Sequence, residues 1–108
     1  MCPKYHKMME ILGKRWTGQI LRGLMAGPRR FNELGSYVAG ISDRLLSARL
    51  QSLEESEIVA RTVGEQRPVT VTYALTDKGA ALRPVIEAYQ EWAGHWIFPD
   101  ENRGAHPA

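Results

Sequence analysis

The chain has 108 residues, 44% apolar and 24% charged, which is the composition of one globular domain and excludes a disordered or fibrous protein. No apolar run approaches the roughly 20 residues of a membrane span, no secretory signal opens the chain, and one cysteine excludes an internal disulfide, so a cytoplasmic location is expected. Net charge is +2, but residues 1–63 carry ten Lys/Arg against six Asp/Glu (+4) and residues 64–108 carry four against six (−2), so the first part favours an anionic partner.

The first helix is expected over residues 4–12, with Tyr5, Met8, Met9 and Leu12 at helical spacing, Pro3 in its first turn and Gly13 as its stop. "WTGQILRGLMAG" gives a second helix whose stripe is Ile20, Leu21, Leu24 and Met25, ended by Gly27 and Pro28. "RRFNELGSYV" gives a short third helix with Phe31, Leu34 and Val38 turned inward. "AGIS" breaks it, and Ser42 caps a fourth helix that carries Asp43 in its first turn, where the helix dipole favours negative charge. The period then changes. "IVARTV" and "VTVTYAL" read as two strands, the second with Val69, Val71, Tyr73 and Leu75 alternating, joined by "GEQRP" with Arg67 near the tip. A long helix follows, capped by Thr76, beginning at Asp77 and carrying Leu82, Val85, Ile86, Tyr89, Trp92, Ala93 and Trp96. Residues 1–98 therefore read as one domain, and the polar, Gly/Pro-containing residues 99–108 as a disordered tail.

This order is an α+β, mainly α, outline of a winged helix-turn-helix: two helices at a tight glycine turn, then a two-stranded hairpin as the wing. In that outline the fourth helix is the recognition helix. At about 100° per residue, Leu50 and Leu53 fall within about 40° of Leu46, while Arg44, Ala48 and Gln51 fall on the far side with Ser47 beside them. Glu54, Glu55 and Glu57 are confined to the end of the segment. Arg can bond bidentately to guanine and Gln to adenine, and small Ser and Ala allow close approach of the helix backbone to a groove. A solvated helix face is the other reading of this pattern. The neighbouring turn, the hairpin with Arg67, and Arg29 and Arg30 ahead of the third helix, placed to grip phosphates, favour DNA.

The segments "CP", "LGKRWTGQIL", "GPRRFNEL", "GISDRLLSARLQSLEE", "VTYALTDKGAAL" and a late "W" occur in an order that resembles the HxlR-type (MarR-like) family of winged-helix transcriptional regulators, over roughly residues 2–96. The resemblance implies a homodimer on an inverted-repeat, double-stranded operator, joined through its first and last helices, and most often a repressor. It places Ser42, Asp43, Arg44, Ser47, Ala48, Arg49 and Gln51 of the recognition helix and Arg67 of the wing on DNA. Arg49 lies at the edge of the apolar stripe, and an acidic neighbour is the other partner open to it. Tyr5 and Met8 of the first helix, with Tyr89, Trp92 and Trp96 of the last, are the dimerisation candidates. Trp92 could equally be core, leaving Trp96 alone exposed.

Cys2 sits before Pro3 at a helix start, with Lys4, His6 and Lys7 adding positive potential, a setting that favours attack on oxidants and electrophiles. The resemblance implies redox or electrophile sensing through such an N-terminal cysteine. A disulfide would have to be intersubunit or with a small thiol, and a cysteine without a role is the alternative. His6, His95 and His106 are scattered, and no metal-ligand spacing, nucleophile motif or phosphate loop occurs, so neither an enzyme nor a cofactor is expected. Two other readings stay open. One is a winged helix used for protein contact; the other is a regulator with an apolar dimer pocket lined by Met8, Met9 and Met25.

Overall fold

Proline at the first turn of a helix costs no hydrogen bond, and helix α1 (Pro3–Leu12) starts there. It ends where the Gly13 N–H donates to the Met9 carbonyl at 2.8 Å. The computed structural model describes residues 2–97. Helix α2 (Thr17–Met25) buries Ile20, Leu21 and Leu24, the stripe expected from their spacing. Strand β1 (Arg29–Arg30) leads into helix α3 (Phe31–Tyr37), which is fastened at its start by the Arg30 N–H donating to Glu33 Oε1 at 2.7 Å. Gly40 turns the chain at φ 98°, a conformation open to glycine at no steric cost. Helix α4 (Asp43–Glu55) follows, capped as expected: Ser42 Oγ accepts from the Leu45 N–H at 3.1 Å.

Strands β2 (Val59–Val63) and β3 (Val71–Leu75) form the expected hairpin, in register from Val59 opposite Leu75 to Val63 opposite Val71. The wing is two-stranded as expected, and the sheet has in addition a third strand that the sequence pattern does not show. Strand β1 pairs antiparallel with β3, Arg29 opposite Tyr73 and Arg30 opposite Thr72, giving the order β1-β3-β2. Two residues are too few to show a period-2 pattern, so only the pairing reveals this strand. Val69 lies outside β3 and is 59% exposed, so the alternation begins at Val71.

The last helix is also divided. Thr76 caps only the short helix α5 (Asp77–Ala80), its Oγ1 accepting from the Gly79 N–H at 3.1 Å and donating to the Glu57 carbonyl at 2.6 Å. Helix α6 (Arg83–Trp96) begins anew with Pro84 in its first turn. In a continuous helix Pro84 would lack an N–H and its ring would clash with the Ala80 carbonyl, so the chain breaks and restarts. Gly79 packs so closely on the Ile58 carbonyl that a Cβ would have no room.

The core gathers Ile20, Leu21 and Leu24 of α2, Leu34 of α3, Leu46, Leu50 and Leu53 of α4, Val59 and Tyr73 of the sheet, and Ile86 of α6. Helix α1 contributes no buried residue. No helix of the described residues is long and apolar enough to cross a membrane. The tail expected to be disordered, residues 99–108, lies outside the described residues.

Candidate nucleic-acid interface

Three leucines of α4 fix the orientation of everything else on that helix. Leu46, Leu50 and Leu53 are at most 1% exposed and face the core, so the opposite side must face outward. Arg44, Ser47, Ala48 and Gln51 are all exposed, and the side chains of Arg44, Ser47 and Gln51 have no hydrogen-bond or ion-pair partner among the described residues. Neither the rest of the protomer nor an internal salt bridge covers this face. Ser42 and Asp43 stand exposed at its start, while Glu54 and Glu55 occupy its far end. The face therefore carries Asp43 and Arg44 with polar residues where the helix begins, and only acidic charge where it ends.

Four other candidate cations have different surroundings. Arg67 is exposed in the segment 64–70 between β2 and β3, and Arg30 is exposed at the start of α3. Arg29 is half-buried and already engaged: its Nε donates to the Gly23 carbonyl at 2.6 Å and its guanidinium lies 4.8 Å from the Tyr37 ring centroid. These contacts give Arg29 a structural role in joining α2 to α3. Arg49 is likewise occupied, but by a backbone carbonyl, not an acidic side chain: its Nε donates to the Arg15 oxygen at 2.9 Å. Sequence reasoning missed this link, because a bond spanning 34 positions leaves no trace in local pattern.

The aromatic residues of α6 are exposed, Tyr89 by 49%, Trp92 by 58% and Trp96 by 70%, so Trp92 is not a core residue of the protomer. Their spacing puts all three on one side of the helix. Tyr5 of α1 is 59% exposed. Met8 lines an open cavity of ≈ 470 Å³ between α1 and α5, with Ile11, Leu12, Ile58 and Leu82. Met9 is exposed and Met25 packs against the core, and neither lines that cavity with Met8. Cys2 is exposed at the N-cap of α1, its carbonyl accepting from the His6 N–H at 3.1 Å. Among the described residues no group of His, Cys, Asp or Glu is placed to hold a metal ion.

A glycine-turned helix pair whose second member presents an unpaired polar face, followed by a hairpin bearing an exposed arginine, defines a winged helix-turn-helix protein. The chain belongs to the family of HxlR-like helix-turn-helix proteins, whose model matches residues 11–101, and is a DNA-binding transcriptional regulator. The HTH-type transcriptional regulator YodB of Bacillus subtilis is 45% identical over 101 residues, which cover 94% of this chain and 90% of YodB. Reduced YodB superposes with a TM-score of 0.82 at 45% identity, over 92% of this chain and 97% of that one. The redox regulator HypR in its oxidized form superposes with a TM-score of 0.80 at 34% identity, over 85% and 94%. YodB is also known in diamide-treated and quinone-bound crystal structures.

Proposed function

We propose that the protein is a homodimeric repressor that binds an inverted-repeat operator through α4 and the β2–β3 wing and releases it when Cys2 is modified. The observation that carries the reading is the uncovered face of α4, with Arg44, Ser47, Ala48 and Gln51 exposed opposite three buried leucines. With α4 in a major groove, Arg44 and Gln51 reach base edges while Ser47 and Ala48 allow close approach, and Arg30 and Arg67 take phosphates on either side. The exposed aromatics of α6 and the absence of buried residues on α1 support a dimer made through these two helices, because large aromatic side chains left in water on one helix side are typical of surfaces that a partner covers.

Selection of bound DNA from a random pool tests the reading directly. Two half-sites about 10 base pairs apart, or a multiple of that, are expected for a two-fold dimer. Arg44→Ala should cost about 1–3 kcal/mol at one base pair and relax the preference there, whereas Arg67→Ala should weaken all sequences alike. Enrichment of no sequence by the native protein would favour a protein-contact module.

For the sensor, Cys2 Sγ can add to a quinone ring, forming a carbon–sulfur bond, or can be oxidised by diamide to a disulfide with a small thiol or the partner's Cys2. The diamide-treated and quinone-bound forms in which YodB is known and the exposure of Cys2 support this reading. Treatment with either reagent should weaken operator binding by roughly tenfold or more, the scale of ordinary allosteric coupling, and Cys2→Ser should abolish the response. Equal release from both proteins would remove Cys2 from the mechanism and favour ligand binding in the α1–α5 cavity.

A further inference from the structure

Arg15 is exposed in the turn between α1 and α2, and two contacts fix that turn against α4. One is the hydrogen bond from Arg49 Nε to the Arg15 carbonyl at 2.9 Å, which ties the backbone of the turn to the middle of the helix. The other is Trp16, whose ring reaches the turn before α4: a Cβ built on Gly40 would lie 3.5 Å from Trp16 Cη2. The Arg15 guanidinium lies over that ring, 4.7 Å from its centroid. Arg15 is thus carried alongside the recognition helix, its backbone held at Arg49 and its guanidinium on the ring that reaches the turn before α4.

We propose that Arg15 is a further DNA-backbone contact, a clamp that takes a phosphate at the edge of the groove entered by α4. This rests on the reading of α4 as the DNA-reading helix. Arginine suits the position for a physical reason. A guanidinium stacked on an indole has one face desolvated and its rotamer held, while its N–H edge stays free to fork onto a phosphate. No carboxylate pairs with Arg15 among the described residues, so its charge is not neutralised within the protomer. The carbonyl bond to Arg49 is made by the backbone at residue 15, so changing the Arg15 side chain leaves that link in place.

The test compares Arg15→Gln, which keeps a planar amide over Trp16 but loses the charge, with Arg15→Lys, which keeps the charge. Affinity for a random-sequence duplex of about 30 base pairs and for the selected operator is followed by fluorescence anisotropy from about 50 to 200 mM salt. Each phosphate contact contributes about 0.9 to the slope of log affinity against log salt. Arg15→Gln should therefore reduce the slope by about 0.9 per protomer, making the loss over that fourfold salt range about 3.5-fold smaller for each protomer. The weakening at low salt should be equal for both duplexes, and Arg15→Lys should keep the native slope. A native slope in Arg15→Gln overturns the proposal, and if thermal stability falls at the same time, Arg15 serves only to pack Trp16. Loss of slope in Arg15→Lys as large as in Arg15→Gln also overturns it, since charge would not be the cause. A native protein that shows no salt-dependent binding instead overturns the DNA-reading role of α4, and the clamp with it.

Discussion

Operator binding by the dimer should weaken by roughly 10³-fold or more as salt rises from about 50 to 200 mM. The expectation comes from counting phosphate contacts, since each neutralised phosphate releases condensed counterions whose return is favoured by salt. Arg15, Arg30 and Arg67 supply three candidate backbone contacts per protomer, hence six in a two-fold dimer, at the lower end of the six to ten for which losses of about 10³ to 10⁵ are typical. Arg29 adds nothing to this count, because its guanidinium is committed to Gly23 and Tyr37. Overall charge cannot substitute for placed contacts, since the whole chain carries only +2. Titration of a labelled operator at four or five salt concentrations measures the slope. A nearly flat line would mean that the arginines around α4 meet no phosphates, and a protein-contact role for the domain would then explain its exposed surfaces better.

The parts of this interface that could be read in the sequence share one property: their signal is local. The period of Leu46, Leu50 and Leu53 set the buried side of α4 and therefore its outward side, and Ser42 announced the cap. The alternation of Val71, Tyr73 and Leu75 marked the wing. What escaped depends on partners distant in sequence. Strand β1 exists because Tyr73 and Thr72 lie beside Arg29 and Arg30, and two residues carry no period. Nothing in the local pattern around Arg29 points to its carbonyl and aromatic partners, and Arg49 is held by a carbonyl 34 positions away. The break between α5 and α6 is a different case. Pro84 was visible in the sequence, but apolar spacing continues across it from Leu82 to Trp96, and the steric conflict with Ala80 outweighs that pattern.

The division of α4 into a packing side and an outward side leads to a large stability effect for a single substitution on its buried side. Leu46 is completely buried, and its Cδ2 lies 3.8 Å from where a Cβ on Gly35 would stand, so it fills the angle between α3 and α4. Leu46→Ala removes apolar contacts on both helices and leaves a cavity that their hydrogen-bonded backbones can only partly close, at a cost of roughly 2–5 kcal/mol. Against a total stability of about 5–15 kcal/mol that is a large share. A loss of about 3 kcal/mol should lower the melting temperature by roughly 10–20 °C in a domain of this size. Ser47→Ala, one residue along, should change stability by no more than about 0.5 kcal/mol, because the Ser47 side chain is exposed and unpaired. Thermal unfolding followed by circular dichroism, at one fixed protein concentration because dimerisation adds to stability, measures both. Equal losses in the two variants would mean that the face carrying Ser47 is covered in the folded assembly. In that case no duplex could reach it, and the case for groove recognition by α4 would fail along with the stability argument.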